Sequence, residues 1–117
     1  METEVRTYVA HRIVDINGIG MFYRTAGDPA KPAILLLHGF PTSSHMFRNL
    51  IRDLADEFYL IAPDLPGFGF TELRSREAYS YTFDSLFEMV ASFVDVIGLD
   101  RYLLYVFDYG APVGLRL

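Results

Sequence analysis

Three short runs, KPAILLLHG, FYLIAP and RYLLYVF, limit what this chain can fold into more than any other feature. Each is too short for a buried helix and lacks polar alternation. Each therefore reads as a strand covered on both faces. Two stretches of helical period separate them. In SSHMFRNLIRDLADEF the apolar residues Met46, Phe47, Leu50, Ile51, Leu54 and Phe58 form one stripe, with Ser43 or Ser44 as N-cap. The second stretch starts near Thr82, carries Phe83, Leu86, Phe87, Val90, Phe93, Val94 and Ile97 on one face, and stops at Gly98.

Upstream, AHRIVDINGIGMFYRTAG holds two β-prone runs around Asn17-Gly18, a pair that tolerates positive φ and so marks a hairpin. Downstream, GAPVGLRL reads as the opening turns of a third helix, with Pro112 confined to its first turn. The order is a hairpin, then strand, helix, strand, helix, strand and the start of a helix. That alternation predicts an α/β fold with a largely parallel sheet and helices on both faces. In such sheets the ligand site lies at the carboxyl ends of the strands. Those ends are HGFP, DLPGFG and FDYGAP.

Composition narrows the chemistry. The 117 residues carry a net charge of -5, with one lysine, Lys31, and no basic cluster, so nucleic acid is not an expected partner. Cysteine is absent, which excludes disulfides, thiolate metal sites and a cysteine nucleophile. The start METEVRTYVA has early acids and no long apolar core, unlike a signal peptide. No apolar run approaches the roughly 18 residues of a membrane helix. A soluble, cytoplasmic protein of one domain, without membrane contact, is the expectation. His11, His38 and His45 match no zinc-binding spacing, so neither a metal nor a cofactor is expected.

Asp108 is the residue that stands out. An aspartate after a strand ordinarily caps the next helix. Here, however, Gly110 and Ala111 follow it. A sharp strand-to-helix turn lifts its central side chain clear of the backbone and needs small neighbours to do so. In HGFP, Gly39 lets the chain turn close to the strand end, Phe40 can offer its backbone N–H, and Pro41 fixes the turn. Two converging amides, from Phe40 and Tyr109, would form an oxyanion hole beside the carboxylate.

Taken together, LLLHGFPTSSHMFRNLI, IAPDLPGFGFTE and YVFDYGAPVG resemble the α/β-hydrolase superfamily. More narrowly they resemble its aspartate-nucleophile branch, which includes epoxide hydrolases and haloalkane and fluoroacetate dehalogenases. The resemblance runs from about Ile13 to the last residue. It implies that Asp108 is the nucleophile and that Phe40 and Tyr109 are the backbone oxyanion donors. His38, Gly39, Pro41, Asp64, Gly67, Gly69 and Gly110 fall on the family's structural motifs. No G-x-S-x-G occurs, so a serine esterase would lack its nucleophile.

Two departures from the pattern carry expectations. Val106 stands two residues before Asp108, where the family has glycine or another small residue, and predicts crowding of the turn. Tyr109 replaces a frequent tryptophan, and Phe40 follows His-Gly where haloalkane dehalogenases have asparagine. With no tryptophan in the sequence, halide binding by indole or amide N–H groups is disfavoured. Phe40, Phe107 and Tyr109 flank the site and lean its substrate toward small apolar electrophiles. The remaining phenylalanines, Phe47, Phe58, Phe83, Phe87 and Phe93, are read as core.

In the resembled family an orienting acid and a histidine base follow the nucleophile, after a helical cap. Nine residues follow Asp108, and all three histidines precede it. The expectation is a partial α/β-hydrolase core domain over 1–117, the N-terminal half of the family sheet, lacking cap and C-terminal half. It would form an alkyl-enzyme ester but not turn over. Its last strand, central in the family, would be an exposed edge prone to self-association. The rival is a noncatalytic binding remnant of the same fold. A phosphoacceptor receiver domain is disfavoured because Lys31 precedes a strand, and a dinucleotide site because GFGF lacks the third glycine.

Overall fold

The computed structural model describes residues 8–40, 42–72 and 79–117. Pro41 and the core of the polar stretch after Glu72 lie outside the described residues. The leading hairpin forms as expected: β1 (Val9–Ile16) and β2 (Ile19–Ala26) pair antiparallel from Val9–Ala26 to Ile16–Ile19. Asn17 and Gly18 make the two-residue turn, with φ of 53° and 86°. Both central residues at positive φ suit the twist of the flanking strands.

The three apolar runs become β3 (Ala33–Leu37), β4 (Tyr59–Pro63) and β5 (Tyr102–Val106). The sheet order is β1-β2-β4-β3-β5. β3 runs parallel to both β4 and β5, while β2 meets β4 antiparallel. β3 is buried at all five positions, as its unbroken apolar run requires. β5 is not. It lies at the edge, and its residues alternate between half-buried and exposed, with Leu103 and Tyr105 about half exposed. The sequence reads β3 and β5 alike because apolarity alone cannot say which strand has a neighbour on both sides.

Helices cover both faces. On one, Phe47 and Ile51 pack against Ala26, Ile34, Leu36 and Leu60. On the other, Leu86, Met89, Val90 and Phe93 of α2 (Phe83–Ile97) pack against Met21, Leu35, Leu37 and Ile61. Thr82 caps α2, its hydroxyl accepting from Ser85 N–H at 3.1 Å, and Gly98 ends it in the left-handed region at φ 79°. The first helical stripe is shorter than its period suggests. Ser44–Phe47 form a 3₁₀ turn, α1 spans only Arg48–Leu54, and Phe58 lies beyond it. Ser44 explains the tight start. It is buried, its hydroxyl accepts from Arg24 Nε at 2.8 Å, and its N–H donates to Asp64 Oδ1 at 2.7 Å. The last helix, α3 (Gly110–Gly114), admits Pro112 in its first turn.

Candidate functional site

The carboxyl ends of β3, β4 and β5 meet above the sheet. Phe107 N–H donates to Leu37 O at 3.1 Å, holding β5 against β3 up to the residue before Asp108. The chain then turns sharply. Gly110 N–H returns to Phe107 O at 2.9 Å and Ala111 N–H to Asp108 O at 3.0 Å. Asp108 sits at the apex with φ 53°, a region most side chains avoid. It is exposed.

Such a turn needs missing side chains around it. A Cβ on Gly110 would lie 2.5 Å from Leu37 O, and one on Gly39 would lie 2.3 Å from the Cβ of Asp108. Gly114 serves the same end, since a Cβ there would meet Val106 Cγ1 at 2.6 Å. Val106 therefore fits two residues before the turn because Gly114 gives it room. The sequence shows the crowding residue but not that the glycine eight residues later relieves it.

The loop after β3 brings the Phe40 amide to Asp108, and its N–H donates to Oδ2 at 2.9 Å. Among the described hydrogen bonds none runs from the Tyr109 N–H to that carboxylate. Tyr109 contributes its ring instead, 5.5 Å from Phe40, 5.2 Å from Phe83 and 6.5 Å from Phe68 between centroids. These four rings make an apolar wall beside Asp108. Phe83 is thus not the core residue its helical stripe suggested; it is 43 % exposed and edge-on to Tyr109. Its place at the first position of α2, at the rim of the sheet, explains why the stripe misplaced it. Phe68, in the strand end DLPGFG, is a second wall residue that the sequence did not single out. Phe107 lies beside Asp108 and is half exposed, but no described ring contact joins it to the wall.

The loop after β4 is held by Asp64, which is fully buried. Its Oδ2 accepts from Phe70 N–H at 2.9 Å, its Oδ1 accepts from Ser44 N–H, and its N–H donates to Phe22 O at 2.8 Å. Gly69, at φ 54°, passes so close that a Cβ there would overlap Asp64 Oδ2. Gly67 also turns at positive φ. His38 links the two loops. Its Nε2 accepts from Leu65 N–H at 2.8 Å and its Nδ1–H donates to Gly39 O at 3.1 Å, which defines a neutral ring. Burial holds its pKa below the ordinary imidazole value, against the upward pull of the Gly39 bond and of Asp64.

Two cavities lie elsewhere. One, of about 430 Å³, lies beside the hairpin turn at Asn17, Tyr79 and Glu88. The other, of about 1240 Å³, lies at the opposite end of the sheet around Lys31, Arg101 and Tyr102. Neither includes a residue of the three strand ends.

Comparison with known proteins identifies the fold. Residues 32–117 match the family model of the α/β-hydrolase fold. The chain belongs to the α/β-hydrolase family. Among relatives of this family, a hydrolase of Saccharomyces cerevisiae is 54% identical over 107 residues, covering 92% of this chain and 36% of its own length. Haloalkane dehalogenase 2 of Mycobacterium tuberculosis is 43% identical over 86 residues, covering 74% of this chain and 29% of its own length. Among solved structures, an epoxide hydrolase from Vigna radiata superposes with a TM-score of 0.84 at 35% identity, covering 93% of this chain and 35% of that one. This α/β-hydrolase chain therefore spans about a third of the length of the relatives it matches. No helix among the described residues is long and apolar enough to cross a membrane.

Proposed function

We propose that Asp108 is the nucleophile of an epoxide-hydrolase-like reaction on small apolar electrophiles. The observation that carries this reading is the 2.9 Å bond from Phe40 N–H to Oδ2 of a carboxylate held at φ 53°. It divides the two oxygens. Oδ2 is held by the amide, so Oδ1 is the one to attack carbon. With an epoxide, the new Oδ1–C bond forms as the ring C–O bond breaks, and the leaving oxygen takes a proton from water, which reaches the exposed Asp108. The product is an alkyl ester of Asp108 whose carbonyl oxygen is Oδ2. Water adding to the carbonyl carbon would push charge onto Oδ2, where the Phe40 amide stabilises it. Tyr109 is proposed as the second oxyanion donor, its N–H closing on Oδ2 as that charge grows.

Release of the ester needs a base. His38 has both ring nitrogens committed to backbone, and His11 Nε2 lies 3.0 Å from the Arg24 guanidinium, which can only donate to it. Neither suits the task, and His45, exposed in the 3₁₀ turn, has no described bond to Asp108, so the 117-residue chain is proposed to stop at the ester. An epoxide is favoured over a haloalkane because the wall of Phe40, Phe68, Phe83 and Tyr109 offers ring carbon and no indole N–H for a departing halide. The exposed β5 is further proposed to pair with a second copy when nothing else covers it.

The test is intact mass spectrometry of the chain and its Asp108→Ala variant after exposure to an aryl epoxide and a primary bromoalkane. The expected result is a stable mass gain equal to the epoxide in the parent chain and none in the variant. A folded parent chain that gains no mass from either reagent would favour the noncatalytic remnant.

A further inference from the structure

The Gly39–Phe40 peptide unit is held at its other end. A peptide is planar, with its C=O and N–H pointing in opposite directions, so whatever fixes the oxygen also aims the hydrogen. The Gly39 carbonyl accepts from His38 Nδ1–H at 3.1 Å, from Thr42 N–H at 2.9 Å and from the Thr42 hydroxyl. The hydrogen of the same unit is the one on Asp108 Oδ2. His38 is fully buried and Thr42 partly so, and neither touches Asp108 among the described hydrogen bonds. Three donors on one carbonyl draw electron density toward the oxygen and strengthen the N–H as a donor. That N–H already faces a charged acceptor, where hydrogen bonds are strongest.

We infer that His38 and Thr42 are positioning residues: by clamping the Gly39 carbonyl they aim and polarise the Phe40 N–H that holds Asp108. The inference rests on the proposed function for its chemical consequence but not for its geometry. A purely structural role for His38, tying the loop after β3 to the loop after β4, would not extend to Thr42, whose bonds to Gly39 stay within one turn. The clamp also predicts that the two substitutions that mimic histidine will differ. Asparagine can keep the donor to Gly39 O, whereas glutamine can keep the acceptor for Leu65 N–H.

The test measures the Phe40 amide directly. In the 117-residue chain its proton is expected far downfield and slow to exchange, and Asp108→Ala should remove both properties. Thr42→Val should move the proton upfield and speed exchange about tenfold or more, Thr42→Ser should restore it, and thermal midpoints should stay alike. His38→Asn should retain the signal better than His38→Gln. An amide unchanged in Thr42→Val, or restored equally by both histidine variants, would overturn the inference. A second readout is cleavage of the Asp108 ester by hydroxylamine, which builds charge on Oδ2. It should slow about tenfold in Thr42→Val, and equal rates would also count against the clamp. If no ester forms in the parent chain, the nucleophile reading fails while the amide signal still decides the clamp.

Discussion

Asp108 adopts a backbone conformation that an L-residue enters only at a cost, φ 53°, and the neighbouring glycines make that conformation possible. The strain can be measured by comparing Asp108→Gly with Asp108→Ala. Glycine should be the more stable by about 1 kcal/mol in urea unfolding, because it has no Cβ to strain at positive φ. Equal stabilities would mean the turn relaxes freely. Gly39→Ala tests the other side of the same turn. Its Cβ would lie 2.3 Å from that of Asp108 and 2.8 Å from Phe107 O, so a loss of about 2 kcal/mol and of epoxide labelling is expected. His38 gives a pH dependence of definite sign. Its folded pKa lies below its unfolded value, because burial disfavours the charged ring more than the Gly39 bond and Asp64 favour it. The unfolded chain therefore binds the extra proton first. The contribution is complete above about pH 6.5 and is lost as pH falls toward the lowered folded value. Unfolding midpoints of the chain and of His38→Asn, followed across that window, should converge on the acid side.

The elements were legible where a local rule suffices, and less so where the neighbour decides. Asn17-Gly18, the Thr82 cap and the Gly98 stop are short-range signals, and the hairpin and α2 follow them closely. Gly98 isolates such a signal. Nothing lies within 4 Å of where its Cβ would stand, so Gly98→Ala should cost only the left-handed conformation, about 1 kcal/mol in chemical denaturation. A much larger loss would point to a packing role. The start of α1 was less legible because a buried bond from Arg24, twenty residues earlier, tightens it. The site followed the same division. Asp108, Phe40 and the glycines could be named from the three strand ends. Phe83, Phe68, Thr42 and Gly114 matter only through what the folded chain brings beside them, and no spacing in the sequence announces that.

At the scale of the molecule, the sheet ends in β5, whose outer side has no strand among the described residues. Leu103, Tyr105 and Phe107 are each about half exposed along that edge. An apolar strand in this position invites pairing with another chain. Size-exclusion with light scattering should show self-association that Leu103→Lys with Tyr105→Lys shifts toward the monomer; no change in elution would remove the edge as its cause. The relatives are about three times this length, so the activity of a whole protein is a larger question than the chemistry of Asp108. That chemistry can be asked of this chain directly. Peptide mapping after exposure to an aryl epoxide is the decisive measurement. The expected result is one alkylated carboxylate, Asp108, released by hydroxylamine as its hydroxamate. Alkylation spread at similar rates over exposed acids such as Asp53 and Asp84 would contradict it.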